Sequence, residues 1–361
     1  MMKILQVAPL WERVPPPAYG GIEYVVSVLT EELVRLGHQV TLAASGDSQT
    51  KAHLLASYER SLRTAEGVRD PAPYNYVHVA AALQSAADFD IVHNHTGEMA
   101  MAMQPLSPTP MLTTVHNLVT PDGSAVWDKY TGHFNTPSEA ARAGMERYPG
   151  FAGVVYHGID VDSFPFQAAK EDFMLFLSRM SPEKGPVEAI EVAKRLGKKL
   201  VMAGKVDDKD HEYFWSEVAP LIDGRLVQYV GEADAMLKRE LFRGACCVLF
   251  PIRWNEPFGL VLVEAMACGT PAIAFRQGAA PEIIADGLSG YLVNDTAEMA
   301  EMVKRADRLD ATAIRAYVER RFSARAMAQA YLRTYTRILE REDAQRRDDL
   351  GWLRSGHKLA G

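Results

Sequence analysis

Residues 3–44 read KILQVAPLWERVPPPAYGGIEYVVSVLTEELVRLGHQVTLAA, and the order of features within them decides the fold. Residues 3–8 form a short apolar run rich in branched side chains, which predicts a strand. Pro15, Pro16, Pro17, Gly20 and Gly21 then mark a loop. From 22 to 36 the apolar residues Ile22, Val25, Val26, Leu29, Leu33 and Leu36 recur at helical spacing, and Gly37 ends the helix. Residues 39–44 read as the next strand. Strand, glycine loop, helix and strand make a βαβ unit, and hence a parallel sheet. The loop has no G-x-G-x-x-G, which disfavours an NAD enzyme. Gly20-Gly21 stands at the helix start, either as a plain flexible turn or as a place where bare amides let an anion approach.

Outward from this unit the pattern repeats. Residues 50–87 are mixed and show no boundaries. Residues 90–95 (DIVHNH) read as a strand ending in histidines, and 111–115 (MLTTV) as another, followed by His116 and Asn117. Open α/β sheets bind ligands beyond the carboxyl ends of their strands, so His116 is read as functional. His93 and His95 are read as structural, and no third and fourth ligand stand at zinc spacing. A strand at 133–136, a helix over 138–148 and a strand at 153–156 complete a first domain, residues 1–160. A linker follows at 161–172.

A second series begins with a strand at 173–177, the loop SRMSPEKG, and a helix over 186–196 opened by Gly185. Further strands are expected at 199–202, 226–230, 246–250, 272–275 and 291–293, in a second parallel domain spanning 173–325. Residues 311–346 read as a long charged helical tract with a solvated face, and the tail after Asp348 as poorly ordered. The segment 326–361 is expected to pack back toward the first domain. Arg179 and Lys184 stand in a loop after a buried strand. They are either surface cations beside a glutamate or a clamp for a diphosphate at a helix start.

Residues 254–271, WNEPFGLVLVEAMACGTP, carry the strongest chemical signal. Pro257 suits a first helical position, Gly259 and Leu260 would offer free N–H groups, and Gly269 with Pro271 ends the apolar helix. Were Glu256 and Glu264 both helical, they would lie roughly 12 Å apart. That matches a sugar–diphosphate–ribose unit lying along the helix, its diphosphate at the positive end of the dipole. The alternative is a strand–helix joint with one terminal and one buried, satisfied glutamate.

The 361 residues are 48% hydrophobic and 24% charged, with a formal net charge of −7, so nothing argues for a nucleic-acid partner. Cys246, Cys247 and Cys268 make no disulfide or zinc framework, and a reducing cytoplasm is the natural location. No apolar run approaches 18 residues, so neither a signal peptide nor a transmembrane segment is expected.

With these motifs in this order, the chain resembles the retaining, nucleotide-sugar-dependent glycosyltransferases of family 4. The resemblance covers residues 2–340. It rests on Gly20-Gly21 with Glu23, His116 in TVHN, HGID from His157 to Asp160, SRMSPEKG, and EPFGLVLVE with ACGTP behind it. It implies the GT-B fold, two Rossmann-like parallel-sheet domains facing across a cleft. By the same resemblance, Arg179, Lys184 and the amides of Gly259 and Leu260 would hold the donor diphosphate. Glu264 would take the ribose hydroxyls, Glu256 the transferred sugar, and His116 the donor sugar near its anomeric centre. Gly20 and Gly21 would lie against the phosphates. The base pocket, with Gly204 and Gly231, would fall at 204–206 and 230–232. No metal or cofactor is implied beyond the nucleotide-sugar co-substrate, with UDP-glucose as the base-rate donor. The acceptor would be a hydroxyl compound, glycan or lipid-linked molecule.

Three departures stand out. Ser178 replaces the usual glycine before the arginine, His157 replaces the usual asparagine, and the first domain is shorter than in typical members. Many relatives act on lipids through a basic amphipathic helix in that domain. None is visible here, so membrane contact is not indicated. A non-catalytic scaffold of this fold would have no reason to keep Arg179, Lys184, Glu256 and Glu264. A nucleotide-sugar epimerase or phosphorylase is the other enzymatic reading.

Overall fold

The first βαβ unit is present: β1 (Lys3–Val7) and β2 (Gln39–Ala44) pair in parallel, with helix α1 (Gly21–Arg35) between them. The structure, a computed structural model, describes residues 1–18 and 20–356. Beyond β2 come β3 (His53–Ala56), β4 (Ile91–Asn94), β5 (Met111–Thr114), β6 (His133–Thr136) and β7 (Phe151–Val154). Together they make one parallel sheet in the order β3-β2-β1-β4-β5-β6-β7. A second parallel sheet, ordered β10-β9-β8-β11-β12-β13, is built from β8 (Met174–Leu177), β9 (Leu200–Ala203), β10 (Val227–Tyr229), β11 (Cys247–Phe250), β12 (Ala272–Phe275) and β13 (Gly290–Val293). These are two Rossmann-like units in the GT-B arrangement. Strand order reverses between β1 and β4 in one sheet and between β8 and β11 in the other. Ligands bind at such switch points, beyond the carboxyl ends of the strands. The loops that follow these four strands carry Gly20, His95, Arg179 and Glu256.

Some elements differ from expectation, each for a local reason. The segment 50–87 holds β3, an edge strand, and the helix Ala72–Gln84, which buries Val79, Ala82 and Leu83. The helix expected over 138–148 is only Glu139–Arg142: Ala143 leaves helical geometry and Gly144 turns to a φ of 84°. Met145 and Tyr148 then pack around Trp127 and Phe134 instead. The charged tract expected over 311–346 is two helices, Ala311–Phe322 and Ala324–Gly356. It breaks because the backbone at Ser323 runs alongside the end of the first domain, where Ile159 donates to Phe322 and Ala324 donates to Ile159, both at 2.8 Å. Nor is the tract simply a solvated face. Met327, Ala328, Tyr331, Tyr335 and Ile338 are buried against Ile4, Val25, Leu29 and Leu33 of the first domain. Burying each large apolar side chain contributes about 1.5–3 kcal/mol. The tail after Asp348 begins within this helix, and residues 357–361 of it lie outside the described residues. No described helix is long and apolar enough to cross a membrane.

The chain thus crosses between the domains twice, and side chains close the same seam. The Glu282 carboxylate accepts from the amides of Glu139 and Ala140, both at 2.8 Å, and from the Tyr156 hydroxyl at 3.1 Å. Ser138 Oγ donates to the carbonyl of Pro257 at 2.6 Å. An anion on a helix start satisfies amides that would otherwise be orphaned. Glu282→Ala is therefore expected to lower stability by about 1–2 kcal/mol, read as a lower urea midpoint at an unchanged m value.

Candidate active site

Two helix N-termini meet across the cleft. Helix α1 starts at Gly21 behind Gly20, whose φ is 143°, and the helix Leu260–Ala267 starts behind Gly259, whose φ is 87°. Neither start is capped by a side chain. A Cβ built on Gly21 would lie 3.5 Å from Leu260 Cδ1, so the two starts touch. Their first amides are free for an anion, with both dipoles favouring it. The apolar helix begins three residues later than its proline suggests. Gly259 takes a left-handed conformation, which a right-handed helix cannot contain, and this leaves Pro257 and Glu256 in the loop. The two glutamates are therefore not spaced along one helix, and the 12 Å estimate does not apply.

Each glutamate has its own cation. Lys184, buried at the end of a single 3₁₀ turn (Pro182–Lys184), hydrogen-bonds Glu256 Oε2 and stands 4.6 Å over the Trp254 ring. Trp254 Nε1 donates to the same oxygen at 2.8 Å. Buried Glu264 accepts from Lys238 at 2.7 Å. Arg179 pairs with Glu183 at 3.0 Å, Asp207 at 3.2 Å and Asp210 at 3.7 Å. Glu183 and Asp207 both titrate lower than usual despite opposing burial: Glu183 first because its own backbone amide hydrogen-bonds it, Asp207 first because Lys205 pairs with it, and Arg179 adds to both. The glycine turn after Lys184 is obligatory, because Gly185 has a φ of 76° and a Cβ there would lie 2.2 Å from the Pro251 carbonyl.

The cleft holds about 770 Å³ and is lined by Gly20, Gly21, His116, Arg179, Lys184, Gly204, Glu256, Gly259, Leu260 and Glu264. Gly231 is the exception among the sequence candidates. It does not line the cleft; its carbonyl accepts the Gly204 amide at 2.8 Å, behind the wall. On the first-domain side, the loop after β1 contributes Trp11, 47% exposed, together with Arg13 and the three prolines. Sequence reasoning missed Trp254 and Lys238, which partner the two glutamates. Trp254 stands two residues before Glu256 and so lay within local reach, whereas Lys238 is 26 residues from Glu264 on another helix and carried no sequence signal.

His116 is half-buried and belongs to a column of imidazoles. His157 stacks on it with ring centroids 5.1 Å apart, and Phe258 meets the far edge of His157 at 5.0 Å. His95 Nδ1 lies 2.9 Å from His116 Nε2, and His95 Nε2 lies 2.7 Å from Gln6 Oε1. His93 lies against His95, 4.0 Å between centroids, and reaches Tyr335 and Thr114. Burial holds all four rings neutral, pushing His116 down to about 3. His95, read from the sequence as structural, touches the candidate His116. The H-x-H spacing that puts His93 and His95 on one face of a strand was the available sign.

Glu23 lines the same cleft and is buried, and burial lifts its carboxyl to about 7. The native state therefore binds this proton more tightly than the unfolded chain, whose ordinary value is 4.5. Its stabilising effect is complete below pH 4.5 and is lost as pH rises through 7. The gap corresponds to roughly 3 kcal/mol. Glu23→Gln removes this contribution, so its stability relative to wild type should rise by about that amount between pH 4 and pH 8 in urea unfolding.

Comparison with known proteins agrees with this architecture. A family model described as glycosyl transferases group 1 matches residues 160–314, and one described as Glycosyltransferase Family 4 matches residues 19–163. A phosphatidyl-myo-inositol mannosyltransferase of Mycolicibacterium smegmatis is 27% identical over 327 residues, covering 81% of each chain. The crystal structure of AviGT4, a glycosyltransferase involved in avilamycin A biosynthesis, superposes with a TM-score of 0.74 at 26% identity, over 94% of this chain and 98% of that one. Sucrose-phosphate synthase from Thermosynechococcus elongatus shares the fold, with a TM-score of 0.76 at 18% identity over 94% and 100% of the two chains.

Proposed function

Because this chain belongs to the family-4, group 1 glycosyltransferases, we propose that it moves a hexose with retention from a nucleotide-diphosphate sugar, UDP-glucose favoured, to a hydroxyl acceptor. The observation that carries the reading is the convergence of two uncapped helix starts, Arg179 and Lys184 on one cleft that also holds Glu256 and Glu264. The diphosphate takes the amides of Gly21, Gly259 and Leu260 and draws Lys184 and Arg179 from their carboxylate partners. Glu264 receives the ribose hydroxyls, Glu256 positions the hexose, and His116 meets that sugar from the opposite domain. The acceptor lies against the wall formed by Trp11 and Arg13.

The bond between the anomeric carbon and the diphosphate oxygen breaks, and the acceptor oxygen bonds that carbon on the same face. The acceptor proton passes to the leaving diphosphate oxygen, and the nucleoside diphosphate departs with it. Paired glycosidase-type carboxylates are not needed, since Glu256 and Glu264 answer to different cations. Donors fixed where charge develops stabilise the departing diphosphate without a metal.

Thermal shifts with UDP, GDP and ADP test the reading. The preferred nucleotide at a hundred times its Kd should stabilise the fold by about 2.7 kcal/mol. Turnover of UDP-glucose, UDP-N-acetylglucosamine and GDP-mannose then names the donor, and NMR of the product gives its anomeric configuration. No response to any nucleotide would contradict the proposal.

A further inference from the structure

The hydrogen bonds around His116 contain more information than their distances, because each hydroxyl and each neutral imidazole has a single proton to give. Thr114 Oγ1 donates to Asn135 Oδ1 at 2.8 Å, so toward His93 its oxygen can only accept. His93 Nε2, 2.7 Å away, is therefore the protonated nitrogen of that ring. His93 Nδ1 must then accept, and the Tyr335 hydroxyl donates to it at 2.6 Å. With its proton committed, the Tyr335 oxygen accepts from Gln6 Nε2 at 3.4 Å, which turns Gln6 Oε1 toward His95. His95 Nε2 donates to that oxygen at 2.7 Å, leaving His95 Nδ1 as an acceptor for His116 Nε2 at 2.9 Å.

We propose that His95 and Gln6 are positioning residues that hold His116 as its Nε2–H tautomer. His116 thereby presents an unprotonated Nδ1 to the cleft and accepts a hydrogen bond from a substrate hydroxyl rather than donating one. His116 lines the cleft and is only half-buried, and with Nε2 committed to His95 the ring nitrogen left for a ligand is Nδ1. Stacking on His157 holds the ring plane, and the chain behind Nε2 sets which nitrogen faces the substrate. The far end of the chain is Tyr335, fully buried on the helix that returns from the second domain. That helix therefore sets the polarity of a group in the cleft as well as covering the first domain. A wrong tautomer can inactivate a site whose geometry is otherwise intact.

The functional half of this inference rests on the proposed transfer reaction, whereas its test reads ring protonation directly. The full chain is labelled with ¹⁵N-histidine, and His116 is assigned by loss of its signal in His116→Asn. Two-bond couplings should show the wild-type proton on Nε2. His95→Leu should give mixed tautomers and a kcat lowered about 10–100-fold, with KM for the donor nearly unchanged. His95→Asn, whose Oδ1 can replace the Nδ1 acceptor, should keep the Nε2–H form and most of kcat. Should His95→Leu fail to fold, Tyr335→Phe, which removes only a hydroxyl, should loosen the same preference. A His116 protonated on Nδ1 in wild type would overturn the inference. So would an unchanged Nε2–H form in both His95→Leu and Tyr335→Phe. An Nε2–H His116 in a protein that turns over no nucleotide sugar would support the tautomer lock and contradict the reaction.

Discussion

Lys184→Ala is expected to lower kcat/KM for the nucleotide-sugar donor by about 10²–10³-fold, corresponding to roughly 3–4 kcal/mol of transition-state stabilisation. Lys184 ends a one-turn helix that Gly185 stops in a conformation no other residue fits, so its ammonium approaches the cleft along one path. There it meets Glu256 and the face of Trp254. When a diphosphate leaves, charge accumulates within reach of that ammonium, and a fixed donor needs no reorganisation to meet it. Alanine also leaves Glu256 with Trp254 Nε1 as its remaining partner at that oxygen. The Lys184→Ala, Glu256→Ala pair should therefore cost much less than the sum of the single changes. Steady-state kinetics on the three variants measures this. A urea titration alongside separates lost chemistry from the destabilisation expected when one member of a buried pair is removed.

Gly204→Ala should have the largest effect on stability, a loss of more than about 3 kcal/mol. Gly204 has a φ of 146°, and a Cβ there would sit 1.7 Å from the Ser178 carbonyl oxygen. The backbone is also tied on both sides: its amide donates to Gly231, and its carbonyl accepts from Tyr229 at 2.7 Å. The clash can be relieved only by moving Ser178, and Arg179 moves with it. Nucleotide-induced thermal stabilisation should then be lost together with the urea midpoint. Gly67→Ala is the control. Gly67 has a φ of 79° but no atom within 4 Å of its Cβ position, so only the backbone term remains, roughly 1–2 kcal/mol.

How much of this was legible in the chain depends on whether its cause was local. Helix α1 follows from its own apolar period and Gly37, and the βαβ reading followed from α1 and its two flanking strands. The late start of the Leu260 helix was not legible, because Pro257 two residues before a glycine fits either a first turn or a loop. Gly259 decides it by its left-handed φ of 87°, at a position where a Cβ would meet Phe250 and Leu262 at 3.3 Å. Arg179, Lys184, Glu256 and Glu264 were found because their motifs are contiguous, and the fold brings them onto one cleft. Their pairing was not visible, since Lys184 and Glu256 are 72 residues apart. The histidine column lies furthest from local reading. Gln6 meets Tyr335 across 329 residues, and only the return of the last helix over the first sheet brings them together.

Release of nucleoside diphosphate from a panel of UDP-glucose, UDP-N-acetylglucosamine and GDP-mannose, with wild type and Lys184→Ala side by side, tests the central claim most directly. The account predicts turnover of one donor by wild type, slowed at least about a hundredfold in a folded Lys184→Ala. Wild-type rates in that variant, or no turnover of any donor by wild type, would contradict it.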